Sequence, residues 1–343
     1  MELTPRKKAI LAEIVKAHIE NGEPIGSKIL ATRLPNPPST ATLRNEMSDL
    51  SEMGYLEQPH TSAGRVPTSK AYRLYVTELM EKNTLSEESK QVIDYMVDTI
   101  RPDPESIGSS AAEILSELTG LPVISASGVQ VGTRIKKASL MPMGRDAAVV
   151  FVITNDGRTR SRLIRCGSQL TPSLVDKFTE IVENSVCSRD VNHLDMAYLQ
   201  SIVVSAGLDA LELAPLLSCV FDMAAELKTA RVNMGGAANL FSVCPTDLQA
   251  RKILDLLQTG DTVSDILSGV TEPVGFVFGD DTRYSELEPT GMIVASIGED
   301  NELGRLAVIG PTRMAYGDIL PSVEYLAHRI GALMTDLLKG LEE

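Results

Sequence analysis

Apolar residues recur along this chain in two rhythms, one of three and four residues and one of two, and the switches between them predict the order of elements. Ile10, Leu11, Ile14, Val15 and Ile19 form the first stripe, bounded by Thr4 as N-cap, Pro5 at the first helical position and Gly22 as a stop. A second short helix, capped by Ser27, carries Ile29, Leu30 and Leu34 and ends at Pro35-Asn36-Pro37-Pro38, where continuation is sterically blocked. Ser39 caps a third, with Leu43, Met47 and Leu50 on one face and a stop at Gly54. Two extended stretches, 55–59 and 66–68, flank His60-Thr61-Ser62-Ala63-Gly64-Arg65, which reads as a hairpin tip. Three helices and a hairpin give the order of a winged helix-turn-helix.

Thr68 and Ser86 open two further helices, one carrying Tyr72, Tyr75, Val76 and Leu79, the other Ile93, Met96, Val97 and Ile100, before Pro102 and Pro104 break the chain. A helix over 107–118 precedes strands at 122–127, 134–142, 147–154 and 158–165, with Asn155-Asp156-Gly157 as a hairpin turn. From 170 to 231 the rhythm is helical; a helix at 248–257 and strands at 274–279, 291–297 and 303–309 follow. The last helix spaces Ile319, Val323, Leu326, Ile330, Leu333 and Leu337 for a seam against a partner or for its own domain's sheet. The fold class is therefore α+β multidomain: a DNA-binding unit at 1–80, a helical linker at 81–105, an α/β domain from 106–165 and 231–343, and an insertion at 166–230.

Length and composition agree with several cored units: 343 residues, 43% hydrophobic and 23% charged, is neither disordered nor fibrous. No apolar run reaches a bilayer span and the N-terminus lacks a signal-peptide pattern, so a cytoplasmic protein without a membrane partner is expected. Four scattered cysteines with no CxxC pair suggest neither disulfides nor zinc. The net charge of −14 opposes nucleic acid until its distribution is counted. Residues 1–80 hold 10 Lys and Arg against 9 Asp and Glu, whereas the remainder holds 22 against 37. The acidity belongs to the body, which would face away from a duplex.

On the third helix, burying Leu43, Met47 and Leu50 turns Ala41, Arg44, Asn45 and Ser48 outward and crowds Ser39, Thr40 and Thr42 at the N-terminus. Arg44 can fork onto guanine and Asn45 can pair with adenine, each such pair worth ~1–3 kcal/mol of discrimination. The hydroxyls and free N–H groups suit phosphate. An isolated helix of this kind is equally a solvated face; the hairpin favours the groove, with His60 and Arg65 reaching the minor groove or backbone and Gly64 permitting close approach. Lys7, Lys28 and Lys70, with Arg6, Lys8 and Arg73, are candidate phosphate contacts. An enzyme is disfavoured: there is no HExxH, GxSxG, Walker loop or GxGxxG after a strand, Gly235-Gly236 is a lone pair, and no catalytic residue, cofactor or metal is expected.

The stretch PSTATLRNEMSDLSEMGYLEQPHTSAGRVPTSKAYRLYV, 38–76, closely resembles the heat-inducible transcription repressor family HrcA. LGRLAVIGPTRMAYGDILPSVEYLAHRI, 303–330, resembles that family's C-terminal strand-to-helix signature, with weaker echoes in LSELTGLPVI from Leu115 and MGGAANLF from Met234. The resemblance implies a GAF-like α/β domain interrupted by a dimerising domain, and repression of chaperonin and related heat-shock operons by a homodimer bound to an inverted repeat. It also implies that the chaperonin keeps the repressor active and that heat stress titrates it away; nucleoid association would follow from DNA binding. Val274 onward, FVFGDDTRYSEL departs from the family pattern, which leaves room for a rival: a regulator whose GAF-like domain senses a metabolite.

Overall fold

The structure is a computed structural model that describes residues 3–339 apart from 61–62, 128–132, 156, 168, 289 and 299–302. The hairpin tip residues Thr61 and Ser62 and the turn residue Asp156 thus lie outside the described residues. Helix α1 spans Pro5–Asn21, its start fixed by the Thr4 hydroxyl accepting from Lys7 N and its end by Gly22 at φ 70°. α2 is Ser27–Arg33, α3 Thr40–Glu52, and strands β1 (Leu56–Glu57) and β2 (Val66–Pro67) pair antiparallel. Ser27 is not the cap expected of it; Gly26 takes that position without a side-chain bond, and Ser27 is buried at the first helical residue. A third extended segment completes the wing: Ile25 and Arg65 exchange backbone hydrogen bonds of 2.8 and 2.9 Å.

α4 (Ser69–Leu74) follows and loosens into a π-helical turn over Tyr75–Leu79; α5 is Glu87–Asp98 and α6 Pro104–Thr119. Beyond them lies β3 (Val123–Ser127), then β4 (Ile135–Pro142), β5 (Ala147–Thr154) and β6 (Thr159–Arg165). Helices α7 (Pro172–Ser185), α8 (Met196–Ala206) and α9 (Leu208–Glu226) lead to β7 (Arg231–Gly235), the short α10 (Leu240–Val243), α11 (Asp247–Leu257) and α12 (Gly260–Ser268). β8 (Val274–Phe278), β9 (Thr290–Ile297), β10 (Gly304–Pro311) and α13 (Tyr316–Lys339) close the chain.

The body is GAF-like: a five-stranded antiparallel sheet in the order β7-β3-β10-β9-β8, buried on both faces. Alternate residues divide between two cores. Ile293, Ala295, Leu306 and Val308 pack with α6 and α13, while Met292, Val294, Ala307 and Ile309 pack with α11 and α12. Burial on both faces is why the inner strands β9 and β10 read as near-continuous apolar runs. Of the two readings of the last helix, it lies on its own domain's sheet along Leu320, Val323, Leu326, Ile330 and Met334.

One expectation is corrected. Strands β4 to β6 do not join the GAF-like sheet; they form a separate three-stranded sheet whose inner face, Ala148, Val150 and Val152, packs on α7, α8 and α9. By its core, the inserted unit begins near 134 rather than 166. The reason is that alternating strands look alike in sequence whichever sheet receives them.

The prolines do interrupt the chain, between the end of α5 at Asp98 and the start of α6 at Pro104, but the packing does not stop there: one continuous apolar core runs from α1 through α4 and α5 into α6, β9, β10 and α13. Tyr72 of the N-terminal unit packs against Tyr316, which also meets Phe276 and Phe278 of the body. Arg73 pairs there with Asp281, but both are more than a third exposed, and such pairs contribute about 0–1 kcal/mol. Burial of the aromatic side chains, at about 1.5–3 kcal/mol each, dominates the joint.

Candidate nucleic-acid interface

α3 places its residues as its apolar period dictates. Leu43, Met47 and Leu50 are buried, Ser39, Thr40, Ala41, Arg44 and Asn45 are exposed, and Thr42 and Ser48 are half-buried. The Ser39 hydroxyl accepts from Thr42 N at 3.1 Å and lies 2.9 Å from the Thr42 hydroxyl, so these two side chains finish the cap. No Asp or Glu occupies the first turn. The positive end of the helix therefore faces solvent unneutralised, beside the exposed Thr40 hydroxyl. One turn on, Arg44 projects beside Asn45, its Nε donating to the Ser27 hydroxyl of α2 at 3.3 Å. That contact crosses 17 positions and has no signature in the sequence.

The wing hairpin is short. His60 is exposed, with its carbonyl accepting from Ala63 N at 2.9 Å, and Gln58 Nε2 donates to the Ala63 carbonyl at 3.1 Å. Arg65 departs from expectation: it lies in the bridge to Ile25, half-buried, with its Nε buried and lacking a hydrogen-bond partner. Gly64 has an intramolecular reason, because a Cβ there would sit 2.5 Å from the Ile25 carbonyl carbon and oxygen. The glycine admits the segment that leads into α2.

The structure sorts the basic residues. Lys7 is not a free phosphate contact; its ammonium lies 2.7 Å from Asp49 and 3.0 Å from Glu46, tying α1 to α3, and these bonds push its pKa up. Lys8 pairs with Glu78 at 2.6 Å, Arg33 with Glu13 and Glu20, and Arg73 with Asp281 across the joint. Lys70 is exposed but donates to the Met53 carbonyl at the end of α3, 2.8 Å away, and sits over the Tyr55 ring. Arg6 and Lys28 are exposed with no carboxylate partner among the described residues. Internal pairing thus removes Lys7, Lys8, Arg33 and Arg73 from the outward field, whereas Arg6, Lys28, Arg44 and His60 are exposed with no carboxylate partner among the described residues.

Far from this surface, a cleft of about 860 Å³ opens between the GAF-like sheet and the inserted unit, lined by Arg134, Lys136, Ser296, Glu324, His328 and Asp336 among others.

Residues 2–81 match a family described as winged helix-turn-helix transcription repressor, HrcA DNA-binding, and residues 105–320 match the HrcA protein C-terminal domain. The heat-inducible transcription repressor HrcA of Desulforudis audaxviator is 30% identical over 99% of this chain and all of its own. Those of Acetivibrio thermocellus and Clostridioides difficile are 29% and 30% identical over 96% and 95% of this chain, and 96% and 98% of theirs. A solved structure described as that of a hypothetical protein superposes with a TM-score of 0.58 at 22% identity, covering 98% of this chain and 100% of that one. That likeness bears on the fold.

Proposed function

Because the chain belongs to the HrcA family of heat-inducible transcription repressors, we propose that it represses chaperonin and related heat-shock operons by gripping an inverted-repeat operator as a homodimer. It is a DNA-binding repressor and not an enzyme. The observation that carries the site is the α3 surface: an acid-free helix N-terminus with Thr40, Arg44 and Asn45 exposed beside it. In this reading α3 enters the major groove, Arg44 and Asn45 meet base edges, and Ser39, Thr40, Thr42 and Ser48 approach the phosphates with the first-turn N–H groups. His60 leads the wing, while Lys28 and Arg6 supply sequence-independent attraction. Lys7, Lys70 and Arg65 act indirectly, by fixing α1, the end of α3 and the base of the wing.

Two-fold symmetry would come from the inserted unit, residues 134–230. On the outer face of its sheet, Met141 and Leu163 lie to either side of Val149 in register, 53% and 67% exposed, opposite the helix-covered face. An apolar row of this kind suits a second copy of the same chain. Family resemblance supplies the regulation: chaperonin maintains the active dimer and heating withdraws it. The interdomain cleft favours one second reading, a small ligand that shifts DNA affinity.

A mobility-shift assay with an inverted-repeat duplex from a chaperonin promoter, competed by scrambled DNA, tests the assignment. Selective retention that is lost on warming and restored by chaperonin supports it. A metabolite that alters the shift at constant temperature moves the reading to the sensor.

A further inference from the structure

We infer that Ser27 is a positioning residue for sequence reading, acting through Arg44; this rests on the assignment of Arg44 to the groove. Ser27 is 7% exposed and sits at the first helical residue of α2, beneath α3. Its hydroxyl accepts from Arg44 Nε at 3.3 Å. The guanidinium is a rigid planar fork, so a bond at Nε fixes the plane's rotation while leaving the two terminal amino groups to donate. Those groups have no partner among the described residues. Two parallel donors held in one plane are what bidentate contact with guanine O6 and N7 requires. An arginine swinging freely on the same helix offers the same donors but must be ordered on each encounter, which weakens the correct base most, since phosphates accept many geometries.

The helix does not need this hydroxyl. Gly26, not Ser27, is the N-cap, and alanine is well tolerated at a first helical position. Ser27→Ala should therefore keep the fold, and its effect should fall on recognition. The bond also gives a partner to a buried polar side chain on a helix whose neighbours in the core include Leu30, Leu43 and Met47.

The test is a double-mutant cycle read by fluorescence anisotropy, using a duplex selected from a randomised library by the full-length wild-type protein, single-base variants of it, and an unrelated duplex. Ser27→Ala should weaken the selected duplex by about fivefold, the size of one hydrogen bond. It should also relax discrimination at the base pair that Arg44→Ala relaxes, leave the unrelated duplex and the thermal midpoint unchanged, and add nothing in the Arg44→Ala background. Equal loss on unrelated DNA, a further loss on top of Arg44→Ala, or no loss at all would overturn the positioning role while leaving the Arg44 assignment intact. Failure of Arg44→Ala to relax any base pair is a separate result, and it would remove both.

Discussion

The Tyr72 hydroxyl lies 2.6 Å from His18 Nδ1, inside the joint where the DNA-binding unit meets the GAF-like body. His18 is 8% exposed and Tyr72 2%, and the Tyr316 ring stands 6.4 Å from that of Tyr72 on the other side. Burial, helped by the Arg313 guanidinium and opposed by Glu23, holds the His18 pKa below its ordinary value. Burial also raises the Tyr72 hydroxyl, so both groups stay neutral at physiological pH.

This gives a pH dependence with a definite sign. An unfolded chain protonates His18 near pH 6.5 and the folded chain resists, so the histidine's contribution is full above about 6.5 and falls as pH drops toward the lower folded value. Thermal midpoints measured from pH 8 to 5 should fall more steeply for wild type than for His18→Gln. Parallel curves would mean His18 titrates alike in both states.

Lys7 is held by Glu46 and Asp49 of α3 and so anchors α1 instead of reaching phosphate. Lys7→Ala should lower the thermal midpoint by releasing α1 from Glu46 and Asp49, and should leave the salt dependence of DNA binding unchanged. A folded pKa raised above the unfolded one places this stabilisation below about pH 10.4, and it is lost as pH rises through the folded value. The gap between wild-type and Lys7→Ala midpoints should therefore narrow in strong alkali. A salt slope shallower by about 0.9 in the variant would return Lys7 to the DNA.

What the sequence made legible was local. The Thr4 and Ser39 caps, the Gly22 stop, and the outward set Arg44 and Asn45 follow from spacings within one helix, and the structure places them so. Leu11, Ile14 and His18, spaced three and four, also marked His18 as inward-facing, a signal that could have found the joint. Long-range pairings carried no such mark: Arg73 finds Asp281 across 208 positions, and Ile25 meets Arg65 across the wing. Helix α12 and strand β7 escaped because their local marks are weak: the first starts at a glycine, and the second offers only Arg231 to Met234, an alternation of four residues that runs straight into Gly235-Gly236. The extent of the insertion was illegible because strand pairing, not strand pattern, decides it.

The outer face of the β4–β6 sheet predicts the assembly. Leu163→Glu places a charge within the proposed subunit contact while leaving the helix-covered core untouched. Sedimentation should show the wild type as a dimer and the variant as a folded monomer with wild-type circular dichroism. A dimeric Leu163→Glu chain would move the contact elsewhere.

Recognition in this proposal requires α3 to be presented twice to one duplex. Anisotropy titration at physiological salt, on an inverted repeat and on the same duplex with one half-site scrambled, tests it directly. Two chains should bind each intact repeat, with a loss on the order of a hundredfold or more when one half is scrambled. Equal affinity for the two duplexes, or one chain bound per intact repeat, would contradict it.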